Sequence, residues 1–558
     1  MWHPRRLHLA TALLLLLAAS LLIRPTTAQS PGETSEATSA AYYLPVIYDN
    51  FNSLRPPERM GLVFVNSAED LRSPQRIQRG IDAGAELDRF PLYWHLAEPQ
   101  PGVFDWSQVD AAIQANLAQG LNTLPIFLGT PPHYFPEPVS VDQVVPMPPV
   151  GGGPTREGLQ KPGSGPMMEN GCTVQGTPPS QNLFVPIFDD GTDIPGPGKS
   201  INPNNYWARF IFKAVERYRP GGPAGTAVRY WELWNEPDLC HFFGGSVDEY
   251  ARMLKVGYLA IEQADPDARM MWGGLALYGP KYEGGQHFLN DLVARLKADP
   301  MAVQYSGFFD YPAIHQYSTS THGYTYKTYI RNALTGTPWR YKPIWVTESG
   351  VPVCGSFPGP ECPSPYRGTA QDQAAYIWQN IAYSRIGGNE GPIFHFQLHD
   401  DCGNIPSPVP PADAFGLITN APSAPCPPHI AEPRPSYTAY QLAKSYLVDG
   451  RFLFSDMPLY GMRRFVVEHE MLNERRTMLW AVYGSNVTYN LQATGSSALV
   501  LRPDGSTDVV TPVNGQYTFT LPASTNQNQP GSSTYTIGGY PFLVIEDSNG
   551  GPAPAPRQ

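Results

Sequence analysis

A chain of 558 residues with a formal charge of −11 is long enough for one large domain and a smaller one, at roughly 100–200 residues per ordinary domain and about 250 for an α/β barrel. The acidic balance argues against nucleic acid as a partner, because phosphate backbones attract basic patches. Six cysteines without a Cys-x-x-Cys pair give a zinc or redox centre little support.

The N-terminus reads Met-Trp-His-Pro-Arg-Arg, continues through a mostly apolar run over residues 7–23 and ends in Thr26-Thr27-Ala28. A basic head, an apolar middle and a small-residue exit predict a secretory signal peptide over residues 1–28. A membrane anchor is the competing reading, but the run falls short of the ~20 residues needed to span. Cleavage after Ala28 removes Arg5, Arg6 and Arg24 and no acid, which takes the charge from −11 to −14. The mature chain is therefore expected to be secreted, extracellular or periplasmic, with no membrane span and with its cysteines in disulfides. Cys354 with Cys362 and Cys402 with Cys426 would close short loops and leave Cys172 with Cys240, but sequence does not determine the connectivity. Residues 29–55 read as a polar linker.

Eight apolar runs follow, separated by helical patterns. They are GLVFV (from Gly61), AELDRFPLYW (to Trp94), NTLPIFLG (to Gly129), VRYWELWN (to Asn235), RMMWGGLAL (to Leu277), YPAIHQYS (to Ser318), KPIWVTES (to Ser349) and PIFHFQLH (to His399). The intervening stretches VDAAIQANLAQG, with Gly120 where a C-cap belongs, and DQAAYIWQNIAYSRIGG have helical periodicity. Strand and helix alternating eight times predict an α/β fold, a (β/α)8 TIM barrel over residues 56–449. A doubly wound open sheet is the alternative, but no Gly-rich phosphate loop follows the first strand. Residues 130–205, rich in Pro and Gly, form an insertion after strand three, either a solvated decoration or a substrate-shaping lid. From about Arg451 the runs become short and alternating, with turns at Pro503-Asp504-Gly505 and Asn514-Gly515, which predicts a small C-terminal antiparallel β-sandwich over residues 450–548 and a disordered tail over 549–558.

The stretch YWELWNEPD, residues 230–238, puts two carboxylates into a strand expected to be buried on both faces, where a charge is costly unless paired or used. Glu236, with Asn235 before it and Pro237 after it, falls at the C-terminal end of strand four, in the barrel mouth. Among Trp231 and Trp234 it is a candidate for a carboxyl kept protonated by desolvation, a general acid. Glu232, deeper in the strand, reads as part of an internal ion pair. Glu348 in KPIWVTESG repeats the design at the end of strand seven, 112 residues on, which leaves room for three βα units of roughly 30–35 residues each. Two carboxylates converging on one pocket suggest glycoside hydrolysis; the competing reading makes each a structural ion-pair partner.

WNEPD and WVTESG resemble the acid/base and nucleophile motifs of the clan A retaining glycoside hydrolases. The stretch DRFPLYWHLAEPQPGVFDWSQVDAAIQANLAQGLNTLPIFLGTPP, residues 88–132, is similar to the second and third βα units of the family 39 type, which includes β-xylosidases. The resemblance covers about residues 61–449 and extends to a following β-sandwich. It implies that Glu236 is the acid/base, Glu348 the nucleophile, and that anomeric configuration is retained. It further implies that Arg89 hydrogen-bonds the nucleophile, that Asn235 binds the sugar 2-hydroxyl, and that His315 and Tyr317 end strand six, with Tyr317 near the nucleophile. Trp94 and Trp234 are expected either to stack on sugar rings or to pack. Strand eight departs from the family in lacking a tryptophan, whose place Phe396, Gln397 or His399 would take.

His395, His399, Asp400 and Asp401 raise a metal alternative that no spaced His-x-His supports, and Asp189, Asp190 and Asp193 form too few ligands for a calcium loop. Asn486-Val487-Thr488 would accept a glycan in a eukaryotic secretory pathway. The reading is thus a secreted, cofactor-free and metal-free retaining hydrolase of β-linked oligo- or polysaccharides. The alternatives are a carbohydrate-binding surface protein on a catalytically silent barrel and a metal-dependent barrel hydrolase.

Overall fold

The structure, a computed structural model, describes residues 58–66, 73–136, 176–277, 286–353, 368–387, 391–400, 414–419, 430–527 and 532–557. The expected signal peptide and linker, Asp401 and every cysteine except Cys240 lie outside the described residues. Cys240 is disulfide-bonded.

Eight parallel strands form one sheet: β1 (Met60–Val63), β2 (Leu87–Tyr93), β3 (Asn122–Leu128), β4 (Tyr230–Leu233), β5 (Arg269–Trp272), β6 (Ala313–Tyr317), β7 (Trp345–Gly350) and β8 (Ile393–His395). Their order is β5-β4-β3-β2-β1-β8-β7-β6, and parallel bridges from Met271 to Tyr311 and from Leu275 to Ile314 close the circle between its ends. Nearly every residue of these strands is buried, as expected of parallel strands covered on both faces. Helices α1 (Pro74–Ala83), α2 (Ser107–Ala118), α3 (Tyr206–Tyr218), α4 (Val247–Ala264), α5 (Gln286–Ala298), α6 (His322–Ala333), α7 (Ala370–Ile386) and α8 (Pro435–Ala443) follow the strands in turn. Their starts obey local chemistry: Ser246 with Glu249 and Thr369 with Asp372 form reciprocal capping boxes on α4 and α7. Tyr230 at the start of β4 meets Trp345 at the start of β7 across the barrel, ring centroids 5.1 Å apart, and the lower interior is filled with aromatics rather than open.

The C-terminal part is antiparallel. Strands β9 (Arg451–Asp456), β10 (Met462–His469), β11 (Glu474–Ala481), β13 (Ala498–Leu501), β14 (Thr507–Val510) and β16 (Phe542–Asp547) make one sheet, and β12 (Val487–Gln492) pairs with β15 (Gln516–Leu521) in another. The expected class, a TIM barrel followed by an antiparallel β-sandwich, is the one observed. Phe465, Val467, Met478 and Trp480 on one face of the larger sheet join Trp378 of α7 and Tyr440 of α8 in a shared core. The other face, with Leu479 and Val544, packs on Tyr517 and Leu521 of the smaller sheet.

One expectation changes. The tail expected to be disordered is tied down over its described residues: the Arg557 guanidinium pairs with Glu474 at 2.6 Å and lies over the Tyr446 ring, and Ala553 N–H donates to Ser497. The described part of the insertion, left open between a solvated decoration and a lid, is partly packed on the barrel and partly exposed, with Phe184 and Ile194 at the surface. Ile187 and Phe188 are buried, Arg252 of α4 donates to the carbonyls of Leu183 and Val185, and Gly176 N–H donates to the carbonyl of Cys240. The acids of the weak calcium pattern are used within it, Asp193 by Arg252 and Asp190 by Lys199.

Candidate active site

Arg89 on β2 organises the barrel mouth. Its side chain is wholly buried, so its charge requires partners, and each nitrogen has one. Nε donates to Glu232 Oε2 at 2.5 Å, Nη1 to Glu348 Oε1 at 2.5 Å, and Nη2 to Glu232 Oε1 at 3.1 Å and Asn235 Oδ1 at 2.9 Å. Burial pulls the guanidinium down, but Glu232 and Glu348 more than offset this and hold it charged. Glu232, read from sequence as an ion-pair partner, is the anchor: it also accepts from Gly274 N–H at 2.8 Å and the Thr347 hydroxyl at 3.0 Å.

Glu348, at the end of β7, accepts one hydrogen bond from Arg89 and another from the Tyr317 hydroxyl. Burial pushes its pKa up, while Arg89 and Tyr317 pull it back. Glu236 has no guanidinium. Burial first, then the charges of Glu348 and Asp238, drive it well above the usual carboxylate range, so it is the member of the pair that keeps its proton. The two titrate as a coupled system in which the second negative charge is the expensive one.

His315 links them. Its Nδ1 is 2.7 Å from Glu236 Oε1 and 3.4 Å from Glu348 Oε2. Burial and then Arg89 push it well below its ordinary pKa, so the ring is neutral. Arg89 Nη2, which can only donate, faces Nε2 at 3.4 Å; this assigns the proton to Nδ1, which donates to Glu236.

The backbone is bent to deliver these groups. β4 ends at Leu233, and Trp234 and Glu236 take φ values of 76° and 40°, left-handed conformations that cost about 1–3 kcal/mol each. Trp234 N–H bonds the Phe127 carbonyl, Glu236 N–H bonds the Gly274 carbonyl, and Asp238 accepts from Ala276 and Leu277 N–H, which holds the turn. A Cβ on Gly274 would lie 2.1 Å from His315 Nε2 and 2.6 Å from Thr347 Oγ1, so no larger residue fits between β4 and β6 here.

Of the residues singled out in the sequence, Arg89, Asn235, Glu236, His315, Tyr317 and Glu348 come together at this mouth. Trp94 and Trp234 do not present a ring to it. Trp94 begins the helical turn Trp94–Ala97, is fully buried, stacks on Phe210 at 4.9 Å and donates its indole N–H to Glu98 at 2.7 Å. Trp234 is fully buried against Phe243, its N–H given to the Phe242 carbonyl at 3.0 Å. The end of β2 explains the first: the strand stops at Tyr93, and Trp94 opens a helical turn that packs its ring among Trp207 and Phe210. The left-handed turn explains the second, because it rotates Trp234 out of the inward series begun by Tyr230 and Glu232.

On strand eight, Phe396 is buried and meets Tyr317 edge-on at 5.9 Å. The suspected metal residues are spread over separate tasks: His395 bonds the Phe415 carbonyl, His399 the Thr419 carbonyl, and Asp400 pairs with Arg434. Among the described residues, the His and carboxylate atoms that do converge, all within 4.8 Å, belong to Glu236, His315 and Glu348, with Arg89 alongside. Sequence reading passed over Thr347 and the Gly273-Gly274 pair. A Gly-Gly closing an apolar run is the available signal for close backbone approach.

No protein-family model and no curated protein matches the sequence. Solved structures do resemble the fold. A family 39 glycoside hydrolase from the gut symbiont Bacteroides cellulosilyticus WH2 superposes with a TM-score of 0.54 at 17% identity, covering 88% of this chain and 81% of its own. A glucosidase from Croceicoccus marinus gives 0.50 at 12% identity, covering 88% of this chain and 96% of its own. What is shared is the fold. The barrel alone is too short to supply that coverage, so the likeness takes in part of the sandwich. Among the described residues no helix is long and apolar enough to cross a membrane.

Proposed function

We propose that this chain is an exported retaining glycoside hydrolase that cleaves β-linked oligo- or polysaccharides by double displacement. The observation that carries this reading is the pair Glu236 and Glu348: an oxygen of each lies within 4.8 Å of the other, and their surroundings push the two acids apart in proton affinity. A closest oxygen-to-oxygen approach within 4.8 Å is compatible with retention, for which the carboxyls stand about 5–5.5 Å apart; inversion needs about 6.5–9.5 Å to admit a water.

In the first step Glu348, kept available by Arg89 and Tyr317, attacks the anomeric carbon while Glu236 gives its proton to the departing oxygen. Esterification removes the negative charge on Glu348, which is the second cause of the raised pKa of Glu236. The Glu236 pKa therefore falls at the moment it must act as a base on the incoming water. His315, donating to Glu236 Oε1 throughout, keeps that carboxyl oriented. The Asn235 amide nitrogen makes no hydrogen bond among the described residues while its oxygen is held by Arg89, so it is the donor available to a sugar hydroxyl.

The test is hydrolysis of a panel of 4-nitrophenyl β-glycosides, with the anomer of the first product read by NMR. Release of the β-anomer supports the reading and the active sugar names the specificity. Release of the α-anomer replaces it with inversion, and sugar binding without cleavage replaces it with the silent-barrel reading.

A further inference from the structure

The C-terminal sandwich sends one loop back to the barrel mouth. Between β15 and β16, Ile537 is fully buried and packs with Val351, Ala375 and Tyr376. Val351 directly follows the β7 strand that carries Glu348. The Tyr376 hydroxyl donates at 2.7 Å to the carbonyl of Gln316, the residue between His315 and Tyr317. The Gln316 side chain is itself held from behind by Asn380 at 2.8 Å and Ser384 at 3.0 Å on α7.

The same loop grips the chain just beyond Tyr317. Ser320 N–H donates to the Thr536 carbonyl at 2.9 Å. Gln379 of α7 accepts from Gly538 N–H at 2.9 Å and donates to the Gly539 carbonyl at 3.0 Å. Asn526 donates to Asp372 in the α7 capping box at 3.4 Å. Gly538 is required by closeness, since a Cβ there would fall 2.6 Å from Trp480 Cδ1 and 2.7 Å from the Ala481 carbonyl oxygen. These contacts converge on the outer side of the two strand ends that hold His315, Tyr317 and Glu348, and they are separate from the larger apolar seam that joins the sandwich to α7 and α8.

We propose that Ile537 is a positioning residue for catalysis: through Tyr376 and Val351 the sandwich loop sets where the Tyr317 hydroxyl and the Glu348 carboxylate stand relative to each other. This deepens the glycosidase reading and rests on it for its kinetic consequence. The physical reason is that Tyr317 and Glu348 sit on neighbouring strands near their C-terminal ends, beyond the point where the β6–β7 register shifts between Ile314 and His315. A bond between two strand ends has its geometry set by whatever braces them, and a misplacement of about 1 Å at a reacting group costs on the order of 10²-fold in rate.

The experiment compares full-length wild type with Ile537→Ala, the conservative Ile537→Val and, as a control of similar size in the larger seam, Leu501→Ala. Hydrogen exchange is followed on the peptide 313–321, and kinetics on whichever 4-nitrophenyl β-glycoside the wild type cleaves. The groups facing Glu348 are Arg89, Glu232, Glu236, His315 and Tyr317, and of their contacts the Tyr317 bond is the one this loop braces. Ile537→Ala is expected to raise exchange in that peptide, to lower kcat by about 10-fold or more with KM within about 2-fold, and to move the acid limb of the kcat profile to higher pH, because Glu348 loses a bond that favours its ionised form. Ile537→Val should restore all three, and Leu501→Ala should lower Tm without any of them. Equal effects from Ile537→Ala and Leu501→Ala, or a fall in Tm with exchange and acid limb unmoved, would overturn the proposal. If the wild type cleaves no glycoside, the functional reading fails, and exchange alone decides: a rise confined to Ile537→Ala supports the brace and its absence refutes it.

Discussion

Two buried cations, one at each end of the barrel, show how the same element of chemistry serves opposite ends. At the N-terminal end, Lys342 is buried before β7; its ammonium donates to the Ser306 hydroxyl and to the carbonyls of Ser306 and Phe309 and lies 4.3 Å from the Phe309 ring centroid. Its nearby acid, Asp310, is itself satisfied by Met270 N–H at 2.8 Å. At the C-terminal end Arg89 faces Glu232 and Glu348 directly, with Glu236 next to them. One cation among neutral carbonyls and a single acid is a fastening. One cation among three acids leaves negative charge in excess, and a proton must be kept to relieve it. In barrels the N-terminal face carries stability and the C-terminal face chemistry, and here the difference lies in the count of charges.

Breaking the mouth should cost activity and breaking the base should cost stability. The largest effect is expected from Glu348→Gln, which removes the attacking carboxylate but not its hydrogen-bond acceptor: kcat/KM on aryl glycosides falls by roughly 10⁴-fold or more with Tm little changed. Glu236→Gln should cost about 10²–10⁴-fold on poor leaving groups and far less on acidic phenols, and the alkaline limb of the pH profile should vanish with it. The same variant sharpens the comparison through stability. An acid whose folded pKa is raised contributes stability that is complete below the unfolded value of 4.5 and lost as pH rises through the folded one. Glu236→Gln should therefore melt above wild type, by a margin that grows as pH rises from 4.5 to the folded pKa and is constant beyond it.

Lys342→Met should do the reverse, leaving kcat unchanged and lowering stability by about 1–3 kcal/mol through the carbonyls of Ser306 and Phe309 left unpaired. Burial pulls Lys342 down to about 7, against the pull of Asp310, from 10.5. A base lowered in this way adds a stability that rises with pH between those two values, and denaturant titrations across that window should lose this slope in the variant. The smallest effect is expected from Trp94→Phe, which removes the indole bond to Glu98: about 1 kcal/mol by denaturation, with KM within about 2-fold, because that ring is buried against Phe210. A large rise in KM would return Trp94 to the binding site.

Much of this was legible before any coordinates. The eight apolar runs lie on the eight barrel strands because parallel strands buried on both faces admit little else. Glu236 and Glu348 stood out because a carboxylate ending such a run has no cheap structural use. The two tryptophans show the limit. Trp94 falls just past the end of β2, in a helical turn that packs its ring into the core, and Trp234 was turned away by a left-handed backbone that no propensity signals in a tryptophan.

The amino-acid sequence by itself determined the class of fold and the strand ends that carry acids, since hydrophobic periodicity and the cost of buried charge are local properties of the chain; Arg89, His315 and Tyr317 were expected near those acids only from the family resemblance. Only the tertiary structure decided which acid keeps its proton. That depends on Arg89 reaching Glu232, 143 residues away, and Glu348, 259 residues away, while leaving Glu236 to a neutral histidine. It also decided that the sandwich reaches the chain just beyond β6 and β7 at all. Electrostatic balance and bracing are sums over neighbours from many elements, and those neighbours exist only once the barrel has closed.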